Sequence, residues 1–137
     1  MAETTTPGGK VVRAIVADDE EMIRDLAATA LRTLGCEVVG EASDGLQCME
    51  MFEQTAPDLV VLDIRMPTVH GMDTLAALLG RHPEAYVVML TAVDDDDAIR
   101  ECIDAGAQDY IKKTQPAGQL IERLREHVNR LGVQRMN

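Results

Sequence analysis

The chain has 137 residues and a mass of 15.0 kDa, which favours one domain with a core large enough to fold alone. Hydrophobic residues make up 46% and aromatic residues 2%, so we expect an ordered protein with an aliphatic core rather than a disordered chain. The formal net charge of -11 argues against nonspecific nucleic-acid binding, and suits a metal-binding surface, a basic partner or solubility alone.

Targeting signals and cysteine chemistry give little sign of export. No apolar run approaches the roughly 18 residues that a membrane span needs, and the N-terminus lacks the apolar region of a signal peptide. Cys36, Cys48 and Cys102 are odd in number and widely spaced, which fits neither a zinc site nor a disulfide framework. We therefore expect a cytoplasmic protein with reduced, structural thiols and no membrane association.

Apolar patterns predict five strands, each followed by a helix. The strands are predicted at Val11–Ala17, Glu37–Ala42, Leu59–Leu62, Ala85–Leu90 and Asp109–Lys112. The helices are predicted to begin near Met22, Leu46, Met72, Asp94 and Pro116, and the last of them to end near Leu131. Residues 1–10 are polar and are predicted to be a disordered lead-in, residues 11–131 one domain, and residues 132–137 a short tail.

This alternation predicts the fold class. Right-handed crossovers of this length give a parallel sheet with helices on both faces. We expect an α/β, flavodoxin-like (βα)5 domain whose sheet has the strand order 2-1-3-4-5.

The apolar run Leu59–Leu62 leads directly into Asp63, so this carboxylate is predicted at the C-terminal tip of a buried strand. Asp18 and Asp19 follow the first strand, which neighbours the third at the switch point of such a sheet. Three carboxylates at one edge repel each other unless a cation lies between them. Oxygen ligands without His or Cys favour Mg²⁺. Alone, Asp18 and Asp19 could instead cap the first helix.

Other polar residues are predicted at the same edge. Thr91 ends the fourth strand, and Lys112 and Lys113 end the fifth. A hydroxyl and an ammonium can hold phosphate oxygens beside the metal. The chemistry this arrangement suggests is phosphoryl transfer to an aspartate, which gives an acyl phosphate. The acidic run 94–97 is interpreted as the start of the fourth helix rather than a metal site.

These residues together resemble the receiver domain of two-component response regulators of the chemotaxis-regulator type, over roughly residues 11–131. Four motifs carry the resemblance: Val16-Ala17-Asp18-Asp19-Glu20, Leu62-Asp63-Ile64-Arg65-Met66-Pro67 with Gly71, Leu90-Thr91-Ala92, and Ala105-Gly106-Ala107 through Tyr110 to Lys113. Each motif alone is weak evidence for the family, but all four in this order on the expected strands and helices are specific to it.

The resemblance implies that Asp63 accepts a phosphoryl group from a histidine kinase or phosphotransfer protein. It implies a Mg²⁺ site that combines three carboxylates with a backbone carbonyl: Asp18, Asp19, Asp63 and the carbonyl of Arg65. It also implies that the phosphoryl group is bound by Thr91, Ala92 and Lys113. The implied switch residues are Thr91 and Tyr110. The residues implied to tune slow autodephosphorylation are Arg65 and Val93. The chain is expected to be a phosphoacceptor and not an enzyme that turns over substrates.

The family spacing decides between the two lysines. Its lysine comes three residues after the aromatic residue of the fifth strand, and counting from Tyr110 gives Lys113. The proline that usually follows is Thr114 here, so we expect a trans bond or strain at that peptide.

The resemblance implies that phosphorylation remodels the face made by the fourth helix, fifth strand and fifth helix, which a downstream protein target reads. The same face could form a homodimer, in which Asp109 pairs across the dimer with Arg123 or Arg125. The aromatic residue usual in that dimer-forming subfamily is missing. No direct nucleic-acid binding by this chain is expected.

Two rival functions are left open. A haloacid-dehalogenase-type phosphatase also uses a strand-end Asp with Mg²⁺, but it needs an acid two residues later, where this chain has Arg65. Alternatively, the chain is a receiver domain cut from a larger transcription regulator.

Overall fold

The structure is a computed structural model that describes residues 11–66, 69–92, 96–113 and 116–134. Its strands and helices alternate along the chain: β1 Arg13–Ala17, α1 Glu21–Thr33, β2 Glu37–Ala42, α2 Gly45–Thr55, β3 Leu59–Leu62, α3 Gly71–Arg81, β4 Val87–Thr91, α4 Asp96–Asp104, β5 Asp109–Lys112 and α5 Ala117–Gln134. The prediction of five β–α pairs is confirmed. The lead-in predicted at residues 1–10 lies outside the described residues.

The sheet is parallel throughout and has the predicted order β2-β1-β3-β4-β5. Residues of β1 pair with β2 on one side and with β3 on the other, as Ala17 does with Ala42 and Leu62. The chain therefore reverses its direction of winding between β1 and β3. In such a sheet, ligands bind beyond the carboxyl ends of the two strands at this point.

Side chains of β1 alternate between two buried clusters, one on each face of the sheet. Ala14 and Val16 pack in the cluster that α1 and α5 cover, whereas Ile15 and Ala17 pack in the cluster with residues of α2, α3 and α4. The four residues of β3 are all buried, because helices cover both faces there. Burial of each such aliphatic side chain contributes about 1.5–3 kcal/mol, which fixes the strands that carry the site.

Several element ends differ from the predicted ones by a few residues. β4 begins at Val87 rather than Ala85, because the Ala85 N–H donates to the His82 carbonyl at 2.8 Å in a turn. Helix α5 continues to Gln134, so residues 132–134 of the predicted tail are helical. Helix α4 begins at Asp96, and residues 94–95 lie outside the described residues.

The thiols agree with the prediction of reduced, structural cysteines. All three are buried and unpaired: Cys36, Cys48 and Cys102. Burial raises the pKa of the Cys48 thiol to about 12, which keeps it protonated and unreactive. Among the helices described, none is both long and apolar enough to cross a membrane.

Candidate functional site

Backbone hydrogen bonds at the sheet edge place the two central carboxylates. The Asp18 N–H donates to the Ala42 carbonyl at 2.9 Å, and the Asp63 N–H donates to the Ala17 carbonyl at 3.0 Å. Each residue therefore continues the ladder of its strand by one bond. Both side chains are almost fully buried, at 2% exposure for each residue.

A single ammonium joins these carboxylates. Lys113 Nζ lies 3.0 Å from Asp18 Oδ2, 3.3 Å from Asp63 Oδ2 and 2.6 Å from Glu20 Oε1. Its position follows from the backbone, because the Lys113 N–H donates to the Thr91 carbonyl at 2.9 Å and thereby extends the pairing of β5 with β4. The structure thus brings Lys113 to the predicted site.

Burial and charge set the protonation of this cluster. Burial raises the pKa of the Asp18 carboxyl, and the nearby Asp63 charge raises it further. The hydrogen bonds that Asp18 accepts from the Glu20 backbone and from Lys113 lower this pKa but do not outweigh burial. Burial by itself lowers the pKa of Lys113, but hydrogen bonds to Glu20 and Asp18 outweigh it and hold that pKa above its usual value. The ammonium is therefore charged at neutral pH and partly neutralises the carboxylates.

The carboxylate oxygens fit a hard divalent cation. Among the described residues, Asp18 Oδ2 and Asp63 Oδ1 are buried side-chain oxygens that accept no hydrogen bond, although the former lies close to the Lys113 ammonium. Buried polar atoms without partners are rare, and negatively charged oxygens are the ligands that Mg²⁺ takes. Carboxylate oxygens of Asp18, Asp19 and Glu20 also lie within 4.8 Å of one another.

These residues surround a pocket of about 230 Å³. Its lining contains Glu20 and most of the residues predicted for the site: Asp19, Asp63, Arg65, Thr91, Ala92 and Lys113. Asp19, Arg65 and Ala92 are exposed at its edge, whereas Thr91 is fully buried. Lys112 is absent from this lining, which agrees with the choice of Lys113. Val93 and the peptide following Lys113 lie outside the described residues.

Two residues that hold the site were missed in the sequence. Glu20 bonds the Lys113 ammonium, and the Arg24 guanidinium donates to the Asp18 backbone carbonyl at 2.8 Å. Arg24 also lies 3.7 Å from Glu41 on β2. The helical spacing of α1 places Arg24 one turn after Glu20, but its direction toward Asp18 depends on how α1 packs on the sheet.

Gly71 packs against the backbone of Asp63 at the end of β3. Its N–H donates to the Ile64 carbonyl at 2.7 Å. A Cβ at this position would lie 2.0 Å from the Asp63 carbonyl oxygen and 2.6 Å from the Ile64 Cα. Only glycine therefore allows this close approach of the α3 start to the end of β3.

The predicted switch residue Tyr110 is 8% exposed and belongs to the buried cluster that also contains Met89, Cys102 and Ala107. Its ring is thus inside the protein in this structure. Thr91, the other predicted switch residue, ends the neighbouring strand β4. The two residues therefore lie on adjacent strands of the sheet.

Asp109 pairs within the chain in this structure, and the predicted pairing across a dimer stays a prediction. Arg123 Nη2 donates to both carboxylate oxygens of Asp109, at 2.6 and 2.7 Å, and His127 Nε2 lies 2.7 Å from Oδ2. His127 Nδ1 lies 2.6 Å from the Tyr86 hydroxyl, which also accepts from Arg130 at 3.0 Å. Within the chain the aspartate therefore has two partners on α5.

Comparison with known proteins decides the family. The sequence profile of the response regulator receiver domain matches residues 14–125. This chain belongs to that family. It is 31% identical over 114 residues to the chemotaxis protein CheY of Listeria monocytogenes, a match that covers 83% of this chain and 96% of that protein.

Two further relatives agree with this receiver assignment. The chain is 37% identical over 132 residues to the transcriptional regulatory protein PdtaR of Mycobacterium tuberculosis, which covers 95% of this chain but 64% of PdtaR. The response regulator domain of Thermotoga maritima CheB superposes with a TM-score of 0.79 at 26% identity, over 93% of this chain and 98% of that domain. The resemblance found in the sequence is thus confirmed, and this is a receiver domain of two-component signalling.

Proposed function

We propose that this receiver domain is a phosphoryl-accepting switch in which Asp63 is the phosphoacceptor. One observation carries the proposal: the Asp63 carboxylate lines the pocket with Oδ2 facing the Lys113 ammonium, while Oδ1 has no hydrogen-bond partner in the part of the chain that the structure describes. A buried oxygen without a proton donor keeps its electron pair available as a nucleophile.

The proposed reaction transfers a phosphoryl group from a phosphohistidine of a histidine kinase or phosphotransfer protein. An Asp63 oxygen attacks the phosphorus, so that an O–P bond forms as the P–N bond breaks, and the released imidazole takes a proton from water. Lys113 and the Thr91 hydroxyl hold phosphoryl oxygens, with Ala92 leaving room beside them. Asp18, Asp19 and Asp63, with the Arg65 backbone carbonyl, would hold Mg²⁺, which neutralises charge on the phosphoryl group when bound.

The output step is proposed to run through β4 and β5. Phosphorylation adds about -1.5 to -2 charges at Asp63, which Thr91 would approach as a donor. The buried position of Tyr110 supports a state in which the ring packs inward. In this proposal phosphorylation favours that state and so changes the face made by α4, β5 and α5, which a downstream protein reads.

Reset of the switch is proposed to be slow autodephosphorylation rather than enzyme turnover. Arg65 lies two residues after Asp63 and lines the pocket, where it can screen Asp63 from an attacking water. A phosphatase of the haloacid-dehalogenase type needs an acid there, and a guanidinium cannot act as that acid and base. An unchanged acyl-phosphate lifetime in Arg65→Ala would remove this role; the corresponding role of Val93 rests on its place two residues after Thr91.

A second candidate has a specific observation in its favour. The chain spans 64% of the length of PdtaR, a transcriptional regulatory protein. The same phosphoacceptor would then control an output segment of a longer regulator. Both candidates use the same site in a cytoplasmic protein, with no direct binding of nucleic acid by the receiver itself.

Labelling of the phosphoacceptor tests the proposal. Wild type and Asp63→Asn are incubated with radiolabelled acetyl phosphate, with and without Mg²⁺, and Asp73→Asn serves as a control for an exposed aspartate on α3. We expect Mg²⁺-dependent labelling of wild type and the control, and none of Asp63→Asn. Undiminished labelling of Asp63→Asn would show that Asp63 is not the phosphoacceptor.

A further inference from the structure

The ammonium of Lys113 has no donor left for a phosphoryl group. It carries three N–H donors. They are used by three hydrogen bonds, to Asp18 Oδ1 at 3.3 Å, Glu20 Oε1 at 2.6 Å and Asp63 Oδ2 at 3.3 Å. To bind a phosphoryl oxygen on Asp63, the ammonium must release one of these partners.

Exposure indicates which partner is released at least cost. The side chains of Asp18 and Asp63 are each 3% exposed, whereas that of Glu20 is 59% exposed. A buried carboxylate that loses its hydrogen-bond donor is destabilised, because it has given up its hydration and has no partner in exchange, unless a metal replaces the donor. The Glu20 carboxylate instead returns to water.

The backbone around Glu20 frees its side chain for this contact. Glu20 occupies the N-cap position of α1, but its side chain makes no capping hydrogen bond. Its N–H donates to Asp18 Oδ1 at 2.9 Å, and its carbonyl accepts from the Arg24 N–H at 2.9 Å. The main chain is thus fixed on both sides while the carboxylate extends across the pocket to Lys113.

We propose that Glu20 is a positioning residue that holds Lys113 in the resting domain and competes with the phosphoryl group for its ammonium. This inference rests on the proposed phosphorylation of Asp63. The contact with Glu20 exists in the resting state and is given up in the phosphorylated one. Loss of the Glu20 charge therefore favours the phosphoryl-bound state, since only a difference between the two states can shift their balance.

Binding of beryllofluoride, a stable phosphoryl analogue formed from beryllium and fluoride, tests this role. Its affinity is measured by ¹⁹F NMR at saturating Mg²⁺ for wild type, Glu20→Gln and Glu21→Gln. Glu21 is the matched control, because it is also exposed and loses the same charge one residue further along α1. An exposed ion pair contributes little, so we expect Glu20→Gln to bind the analogue about two- to fivefold more tightly than the control.

A separate Mg²⁺ titration tests the alternative that Glu20 is a metal ligand. If Glu20→Gln binds the analogue no more tightly than Glu21→Gln, the positioning role is overturned. A weaker Mg²⁺ affinity with no gain for the analogue would assign Glu20 to the metal instead, and overturns it equally.

The design separates this inference from the proposed function. If wild type and Glu21→Gln bind beryllofluoride and are labelled by acetyl phosphate, a missing effect of Glu20→Gln removes the role of Glu20 alone. If wild type neither binds the analogue nor is labelled at Asp63, the proposed function fails and the role of Glu20 fails with it. Affinity compares two folded states, so a simple loss of stability in Glu20→Gln does not imitate the expected result.

Discussion

Asp109 at the start of β5 is held by Arg123 of α5, whose Nη2 lies 2.6 Å from Oδ1 and 2.7 Å from Oδ2 of the carboxylate. His127 Nε2 adds a third contact at 2.7 Å, and the Tyr86 hydroxyl bonds the other ring nitrogen. The Asp109 carboxylate, both ring nitrogens of His127 and the Tyr86 hydroxyl thus each have a hydrogen-bond partner in this network. The network therefore ties α5 to the start of β5 and to Tyr86, the residue before β4, at the end of the sheet opposite Asp63.

Asp109→Asn is expected to destabilise the domain by about 1.5–3 kcal/mol at neutral pH, the usual contribution of hydrogen bonds to a charged group. Burial raises the pKa of the Asp109 carboxyl, but the bonds from His127 and Arg123 outweigh it and hold that pKa well below its usual range. A lowered folded pKa stabilises the fold above the unfolded value of about 3.9, and the gain is lost as pH falls further. Urea unfolding between pH 7 and pH 3 should show the difference between wild type and variant shrinking below about pH 4.

The control for this measurement is Asp25→Asn, which removes an exposed carboxylate of α1. It should leave the free energy of unfolding within about 0.5 kcal/mol of wild type at every pH. A constant gap between wild type and Asp109→Asn down to pH 3 would contradict the charged network.

Removal of the Lys113 ammonium should destabilise the domain in a way that Mg²⁺ reverses. Lys113→Met leaves the buried Asp18 and Asp63 carboxylates facing each other without a cation, and loss of one partner of a buried pair costs about 3–5 kcal/mol. Mg²⁺ supplies the missing positive charge and no longer competes with the ammonium. We expect a lower melting temperature without Mg²⁺ and a larger Mg²⁺-induced rise than in wild type.

Scanning calorimetry with and without Mg²⁺ measures both effects, and Lys112→Met is the matched control because that neighbouring lysine does not line the pocket. At acidic pH the gap between Lys113→Met and wild type should narrow, because burial raises the pKa of the Asp18 carboxyl and its protonation removes one of the two facing charges. A larger Mg²⁺ response in Lys112→Met than in Lys113→Met would reverse the choice between the two lysines.

The sequence was sufficient for the fold and for the main residues of the site because these depend on local patterns. Runs such as Leu59–Leu62 mark buried strands, and the acid that ends each run is placed at the sheet edge by strand geometry alone. Asp18 and Asp63 were found in this way. Thr91 follows from the same rule, whereas the choice of Lys113 over Lys112 depended on the spacing found in the family that the chain resembles.

The residues that were missed depend on contacts between distant parts of the chain. Glu20 is unremarkable as an acid at a helix start, and its role follows only from the ammonium of Lys113, 93 positions away. No local pattern marks His127, which is 3% exposed and bonds Tyr86, 41 positions away. Side-chain direction across packed elements decides both contacts, and periodicity does not contain that information.

Gly71 should be required for phosphorylation more than for folding. A Cβ there would lie 2.0 Å from the Asp63 carbonyl oxygen, so Gly71→Ala must shift the backbone that carries the proposed phosphoacceptor. A shift of the Asp63 carboxylate out of its reactive position can lower the rate of phosphorylation by up to about 100-fold. The same overpacking lowers the free energy of unfolding by about 1–3 kcal/mol. The measurement is the rate of labelling by acetyl phosphate in Mg²⁺, with the folded fraction checked by circular dichroism.

Gly80→Ala is the control, because a Cβ at that helical position meets nothing within 4 Å. It should label at the wild-type rate and gain about 0.5–1 kcal/mol of stability. Labelling of Gly71→Ala at the wild-type rate would show that the end of β3 tolerates the shift.

Met22 should matter for a protein phosphodonor and not for a small one. It is 82% exposed in the first turn of α1, two residues after Glu20 at the pocket edge, and Leu26 one turn later is 41% exposed. A phosphohistidine must come within bonding distance of Asp63, so the protein that carries it has to cover this edge. Apolar side chains that are exposed there would be buried on docking.

Met22→Glu is therefore expected to slow phosphotransfer from a histidine kinase or phosphotransfer protein by about tenfold or more, the effect of a central interface residue worth over 1 kcal/mol. Its labelling by acetyl phosphate should remain at the wild-type rate, because that donor needs no docking surface. Leu46→Glu on α2, where Leu46 is 48% exposed, is the control and should transfer normally. Equal slowing with both donors would mean that the added charge acts on the pocket itself, and equal slowing by both variants would mean that the donor does not dock at the start of α1.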